Sequence, residues 1–194
     1  MSNVLILGAN GQVARVAIEL FLKTTDTKLT LYLRNAKRLR GLHPSRTRIM
    51  EGDVLDAKKL SEAMVDQDVV YANLSGQLEK QAGNIVKAMQ AAGKKRLIFV
   101  SSMGIYDEVP GEKYGSILDP YRKSAAIIEA SDLDYTIVRP AWLNDHDEID
   151  YETTRKGEPF KGAVVSRKSV ADLIVKLAQA PGLAVRDSLG VSKP

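Results

Sequence analysis

Short apolar runs alternate with amphipathic stretches along nearly the whole 194-residue chain. The apolar runs predict six strands, at 4–7, 29–33, 47–50, 69–74, 96–100 and 135–138, the last ending at Pro140. Apolar positions at helical spacing predict helices after Gly11 and over 57–65, 78–92, 119–130 and 170–179. We expect Ser169 to cap the last of these helices and Pro181 to end it.

The first strand runs directly into the segment 8–14, with the sequence GANGQVA, and then into a helix. Gly8 allows a sharp turn, and Gly11 lets a ligand approach the backbone without meeting a side chain. The unpaired N–H groups and the positive dipole end of the helix then face whatever lies in the turn. A strand, a glycine turn and a helix N-terminus in succession therefore predict a phosphate-binding site.

The alternation of strands and helices, together with this turn, predicts an α/β fold. It is expected to be a Rossmann-type doubly wound parallel sheet in three αβα layers. In such folds the ligand lies at the carboxyl ends of the strands, where strand order reverses. The length favours one domain over 1–194. The polar segment 141–165 is too short for a second domain, and we interpret it as a small substrate lid in which 163–165 could form a strand.

Composition narrows the class of protein. The contents of hydrophobic residues (44%) and charged residues (27%) are typical of a soluble globular protein. The chain has no cysteine, which excludes disulfides, thiolate catalysis and cysteine metal sites. We expect a cytoplasmic location, with no signal peptide and no membrane span. His146 stands among carboxylates but has no well-spaced second histidine, so we predict no metal site.

Charge is unevenly distributed along the chain. The net charge is +4, but the segment 27–50 has seven basic residues and no acid, so the remainder sums to −3. Five acids lie between 145 and 152. The simplest interpretation of each group is a solvated surface, and no nucleic-acid motif accompanies the basic one.

Part of the basic segment follows the second strand, where it bears on the choice of dinucleotide. An acid at the end of this strand binds the ribose 2′-hydroxyl of NAD, whereas this chain has Arg34, with Lys37 and Arg38 close behind. A hydrogen bond between a cation and a 2′-phosphate contributes about 1.5–3 kcal/mol. The pattern therefore favours NADP over NAD, the alternative being that Arg34 is merely an exposed strand-end arginine.

Two further strand ends are expected to line the same groove. Gly52, Asp53 and Val54 follow the third strand, where an adenine would lie, and Asp53 could accept a hydrogen bond from its amino group. Alternatively, Asp53 could cap the helix that starts near Asp56. Asn73, Leu74 and Ser75 end the fourth strand beside the glycine turn.

Five motifs in order resemble the atypical short-chain dehydrogenases/reductases of the NmrA-like NAD(P)-binding group. They are Gly-x-x-Gly-x-x-Ala at 8–14, Arg34, the triplet 52–54, FVSSMGIY at 99–106 and DYTIVRP at 134–140. The likeness covers most of 3–142 and, more loosely, 167–179. It implies a bound nicotinamide cofactor, and Arg34 favours NADP over NAD as that cofactor. The expected cofactor-binding residues are Gly8, Asn10, Gly11, Gln12, Val13, Arg34, Asn35, Asp53, Val54, Asn73, Leu74, Ser75, Ser101 and Pro140.

The catalytic residues of this superfamily carry over only in part. The resemblance places Ser102 where extended members keep a serine that bonds the reacting oxygen, and Tyr121 in the region of their tyrosine. Those enzymes also need a lysine four residues after the tyrosine, and no tyrosine of this chain has one. Lys123 follows Tyr121 by two residues and would face away from it on a helix. The usual tyrosine-lysine proton relay is therefore not supported.

Hydride transfer to a flavin or quinone remains compatible with these residues, because such acceptors take their proton from water. The site then needs an apolar or aromatic wall, for which we select Trp142 and Tyr106, with Tyr114 and Tyr121 as other candidates. Trp142 could equally pack the lid onto the body. The leading hypothesis is an NADPH-dependent reductase of a planar acceptor, and the alternative is a non-catalytic NADP-binding redox sensor with a protein partner.

Overall fold

The computed structural model describes residues 2–39 and 42–194, so Arg40 of the basic segment lies outside the described residues. The strands are β1 (Asn3–Leu7), β2 (Lys28–Leu33), β3 (Thr47–Glu51), β4 (Val69–Ala72), β5 (Arg96–Val100), β6 (Asp134–Pro140), β7 (Trp142–Asn144), β8 (Glu152–Thr154), β9 (Val164–Ser166) and β10 (Asp187–Ser192). The α-helices are α1 (Gln12–Thr24), α2 (Ala57–Ala63), α3 (Leu78–Ala91), α4 (Asp119–Glu129) and α5 (Arg167–Gln179). Two short 3₁₀ turns, Ala36–Arg38 and Gly115–Leu118, complete the regular structure.

Eight strands form one sheet in the order β3-β2-β1-β4-β5-β6-β10-β8. All neighbours pair in parallel except β8, which is antiparallel to β10. The connection from β3 back to β4 crosses the sheet, so strand order reverses between β1 and β4. The predicted doubly wound parallel sheet is confirmed.

Helices cover both faces of this sheet, and the strand residues divide between them. Val4 and Ile6 of β1 belong to the core on the side of α1 and α5, whereas Leu5 and Leu7 belong to the core on the side of α2, α3 and α4. Successive side chains of a strand point to opposite faces, so a strand buried on both sides must be apolar throughout. This explains why the sequence of β1 is apolar from Val4 to Leu7 without interruption.

Two expectations about the C-terminal part need correction. Ser166, not Ser169, caps α5: its hydroxyl accepts a hydrogen bond from the backbone N–H of Ser169 at 2.9 Å, while Ser169 is buried within the helix. The extended backbone of Ser166, at the end of β9, is the conformation that an N-cap requires. The second correction is β10, which was not predicted because its sequence, DSLGVS, has only two large apolar residues.

Within the described residues, no helix combines the length and the apolar composition that spanning a membrane requires.

A buried ion pair connects β6 and β10 to the loop that follows β5. Arg139 of β6 is fully buried and pairs with Glu108, whose side chain is 2% exposed. Arg139 also donates to the side-chain and backbone oxygens of Ser188 on β10, at 3.0 and 3.1 Å. The Glu108 carboxylate accepts from the backbone N–H groups of Gly104 and Tyr106, at 3.1 and 2.9 Å. The pair therefore fastens the loop after β5 to the two strands.

We expect Glu108→Ala to lower the free energy of unfolding by about 3–5 kcal/mol, because Arg139 would keep a buried charge without its partner. Urea unfolding measures this change. The matched control is Glu152→Ala, which removes a carboxylate from the exposed pair with Lys161 and should leave the midpoint almost unchanged. Equal effects of the two substitutions would contradict the role assigned to the buried pair.

Candidate cofactor-binding site

A groove of about 510 Å³ opens at the carboxyl ends of β1, β2, β3 and β4, where strand order reverses. Ligands of doubly wound folds bind at this position. Its walls are formed by Gly8, Asn10, Gly11, Tyr32, Leu33, Arg34, Asn35, Arg38, Gly52, Asp53, Val54, Asn73, Leu74, Ser75 and Gln81. The structure thus brings together the ends of four strands that are far apart in the sequence.

The two glycines of the turn lie so close to Asn73, which follows β4, that a side chain at either position would clash with it. Gly8 has a φ of +80°, and a Cβ there would clash with the backbone oxygen of Asn73. A Cβ on Gly11 would clash with the side-chain amide of the same asparagine. Gly11 is also the N-cap of α1, whose cap position has no side-chain hydrogen bond. The first N–H groups of α1 are therefore available to an anion, which is what a dinucleotide pyrophosphate requires.

The two glycines should respond differently when Asn73 is shortened. Gly8→Ala should lower the free energy of unfolding by about 1–3 kcal/mol and abolish dinucleotide binding. Alanine is strained at a positive φ, and its Cβ would clash with the backbone oxygen of Asn73. Asn73→Ala should not rescue it. Gly11→Ala clashes only with a side chain, so Asn73→Ala should restore the melting temperature of that variant. Thermal unfolding of the single and double variants measures this, and rescue of Gly8→Ala would refute the geometry.

The part of the groove wall that follows β2 includes two arginines, Arg34 and Arg38, and we call it the positive end. The 3₁₀ turn between them is capped by Asn35, whose side-chain oxygen accepts from the backbone N–H of Lys37 at 3.1 Å. The Lys37 side chain, expected to lie within reach of a 2′-phosphate, is not part of the groove wall. The positive end is therefore built by Arg34 and Arg38.

Tyr32 of β2 also lines the groove, which the sequence did not suggest. Its hydroxyl donates to the backbone oxygen of Asp53 at 2.9 Å, and its ring occupies the space that a Cβ on Gly52 would need. Burial, with smaller contributions from the carboxylates of Asp56 and Asp53, raises the pKa of Tyr32 to about 12. The hydroxyl therefore stays protonated and remains a donor at neutral pH.

Asp53 itself does not cap the helix. Asp56 caps α2 by accepting from the N–H of Lys59 at 3.1 Å, whereas Asp53 accepts from the N–H of Leu55 at 2.9 Å. Asp53 thus lies in the groove wall, where an adenine is expected. Leu33 and Gln81 also line the groove without having been anticipated, because Gln81 reaches it only through the packing of α3 beside Val54.

Four expected cofactor-binding residues lie outside the groove wall. Val13 and Pro140 are buried, and the exposed side chain of Gln12 accepts a hydrogen bond from Arg167 at 3.1 Å. Ser101 directly follows β5 and is buried. Pro140 ends β6, so Ser101 and Pro140 lie at the same sheet edge as the groove, toward β5 and β6. Their contacts with a cofactor stay predictions.

The predicted catalytic residues do not form a proton relay. The Ser102 hydroxyl donates to the neighbouring backbone oxygen of Met103 at 3.1 Å. Tyr121 is half-buried on α4, whereas Lys123 is exposed and pairs with Glu79 at 3.5 Å. The ammonium group is thus engaged away from the tyrosine, as the two-residue spacing indicated. The roles of Ser102 and Tyr121 stay predictions.

The two aromatic residues assigned to the acceptor differ in their surroundings. The Tyr106 hydroxyl donates to Glu129 at 2.6 Å, and burial together with this bond raises its pKa above the ordinary value. Trp142 is 61% exposed and pairs across the two-stranded β7–β9 sheet with Val164, which is also exposed. This exposure argues against the packing role considered for the indole. An apolar surface therefore follows directly after β6.

The acidic loop is neutralised by basic residues of the same chain. Asp145 pairs with Arg167 at 2.8 Å, Asp147 with Lys168 at 2.6 Å, and Lys193 lies between Glu148 and Asp150. Across the part of the chain that the structure describes, no group of three potential ligands could hold a metal ion. These acids thus form ion pairs at the surface of the protein.

Comparison with known proteins identifies the class. Residues 8–181 match the NAD(P)H-binding family, and the chain belongs to it. Its fold is similar to that of a Rossmann-fold NAD(P)-binding protein from Shigella flexneri, with 47% identity, a TM-score of 0.90, and coverage of 100% of this chain and 94% of that one.

More particular likenesses confirm the resemblance to short-chain dehydrogenases/reductases. One such protein from Veillonella parvula DSM 2008, solved in complex with NADP, is 29% identical with a TM-score of 0.88, over 100% of this chain and 95% of that one. An uncharacterised sugar epimerase of Bacillus subtilis (strain 168) is 25% identical over 89% of this chain and 86% of its own length. A phenylcoumaran benzylic ether reductase of Pinus taeda is 30% identical over 71% of this chain, which spans only 48% of that enzyme.

Proposed function

We propose that this protein is an NADPH-preferring reductase that transfers hydride to a planar acceptor such as a flavin or a quinone. The observation that carries the cofactor preference is the positive end of the groove. Arg34 and Arg38 both line it, and no acid lies beside them in the groove wall. The acid of the groove, Asp53, follows β3 rather than β2. An NAD-type acidic partner for the ribose 2′-hydroxyl is therefore missing from the end of β2.

The chain's own residues account for cofactor binding. The glycine turn and the N-terminus of α1 receive the pyrophosphate, Arg34 and Arg38 receive the 2′-phosphate, and Asp53 with Leu74 borders the adenine. A reduced nicotinamide supplies a hydride, that is, a proton with two electrons, to the acceptor. The acceptor is reduced by two electrons and takes its further proton from water.

The acceptor site is proposed at the apolar surface that follows β6. Trp142 and Val164 present adjacent exposed side chains on β7 and β9. A planar ring stacks on such a surface, and positioning alone lowers the barrier when the acceptor needs no general acid. Tyr106 is protonated at neutral pH like any tyrosine, and its raised pKa together with its hydrogen bond to Glu129 makes it still less suited to act as a general base.

We expect the protein to bind NADPH about ten- to a hundredfold more tightly than NADH, and Arg34→Ala to remove most of that difference. Quenching of Trp142, the single tryptophan, measures both affinities. The control is Arg48→Ala, which removes an exposed cation of β3 that does not line the groove. Equal affinities for the two cofactors in the unmodified protein would refute the preference for NADPH.

Turnover is expected with flavins or quinones, and Trp142→Ala should raise the KM for the acceptor about two- to tenfold through the lost stacking. The affinity for NADPH, measured by calorimetry, should change little. Ile149→Ala removes another exposed apolar side chain of the lid and serves as the control. Steady-state NADPH oxidation measures both effects, and equal KM values in the two variants would contradict this acceptor site.

The second candidate is a redox sensor that binds NADP without turnover and signals to a protein partner. The observation that favours it is the engagement of Lys123 with Glu79, which leaves Tyr121 without a lysine partner. The same assay separates the two functions. Tight NADPH binding with no oxidation in the presence of any flavin or quinone would support the sensor.

A further inference from the structure

We infer that Arg15 is a positioning residue that sets the cofactor preference by fastening the turn Ala36–Arg38 to the glycine turn. This inference rests on the proposed preference for NADPH and goes beyond it, because Arg15 is not itself part of the groove wall. Arg15 acts through Arg38, whose side chain lines the positive end of the groove.

The guanidinium of Arg15 bridges two segments that are distant in the sequence. It extends from α1 and donates to both oxygens of Asn10, the backbone one at 3.3 Å from Nε. The same Nη2 that donates to the Asn10 side chain also donates to the backbone oxygen of Arg38 at 2.9 Å. Asn10 and Arg38 both line the groove. One side chain thus holds the phosphate-binding turn and the basic turn at a defined separation.

The other contacts of the basic turn hold its first residues. Asn35 accepts from the N–H of Lys37, and Glu51 accepts from the N–H of Ala36 at 2.9 Å. Beyond the turn, Leu39 is buried in the core beside α1. None of these anchors involves Arg15, so we expect the segment to stay folded when Arg15 is replaced. The carbonyl of Arg38, by contrast, is tied to the glycine turn through Arg15.

A lysine at position 15 would keep the charge but could not replace the bridge. A guanidinium presents several N–H groups in a rigid planar fork, whereas an ammonium is a compact charge on a flexible chain. Replacement by lysine therefore separates two explanations. If Arg15 acted only through its charge on a nearby phosphate, lysine would preserve the affinity for NADPH.

The experiment measures binding of NADPH, NADH, 2′,5′-ADP and 5′-AMP to the full chain by calorimetry. Arg15→Ala and Arg15→Lys should both weaken NADPH and 2′,5′-ADP about tenfold, the equivalent of one charge-assisted hydrogen bond, and leave NADH and 5′-AMP within about twofold. Amide hydrogen exchange at Ala36–Arg38 should become faster in both variants without ligand. Arg48→Ala is the control for net charge and should change neither quantity.

Three results would overturn the inference. If the Arg15→Ala variant kept the preference of the unmodified protein for NADPH over NADH, the bridge made by Arg15 would have no effect on cofactor choice. If only the Arg15→Lys variant kept this preference, Arg15 would act through its charge and not by positioning the turn. An equal loss for NADPH and NADH would assign Arg15 to the pyrophosphate end through Asn10. A lack of preference in the unmodified protein is a different result, because it refutes the proposed NADPH selectivity itself and the inference with it.

Discussion

The guanidinium of Arg139 is fully buried, and its charge can be kept there only because Glu108 and Ser188 surround it with acceptors. A buried cation without a partner costs far more than a surface ion pair contributes, so these elements must stay together. β6, β10 and the loop that follows β5 are therefore fixed relative to one another. Ser101, Ser102 and Trp142 flank these elements, which means that the proposed acceptor side is built around a charged, hydrogen-bonded centre.

The cofactor side depends on a different constraint, the close approach of β1 and β4. Gly8 and Gly11 pack against Asn73 with no space for a side chain, and this contact shapes the groove. The two halves thus use opposite means. The first is shaped by glycines that leave no space for side chains beside Asn73, and the second is held by a polar network inside the core. The sheet connects them, since β4, β5 and β6 are adjacent.

The sequence lacks the tyrosine-lysine pair, so the proposed cofactor side and the proposed acceptor side have different chemical requirements. The proposed cofactor binding uses the glycine turn and the basic residues after β2, whereas the tyrosine-lysine proton relay needs a lysine four residues after a tyrosine, which the sequence lacks. The planar acceptor that we propose on the Trp142 surface would remove the need for that relay, because stacking and proximity favour hydride transfer. In our proposal the basic turn at 36–38 decides the cofactor preference, and Arg15 connects this turn to the glycine turn.

The sequence by itself predicted the strands β1 to β6, the glycine turn that follows β1 and a basic residue at the end of β2. These rest on local patterns: apolar runs, a glycine turn between a strand and a helix, and Arg34 after β2. Only the tertiary structure decided that Tyr32 and Gln81 line the groove, that β10 joins the sheet, and that Ser166 rather than Ser169 caps α5. The first two depend on contacts between distant segments, and the cap depends on the extended backbone that Ser166 has at the end of β9. β10 is buried because it pairs with β6, places Leu189 and Val191 in the core and offers the oxygens of Ser188 to Arg139, none of which is visible in its local sequence.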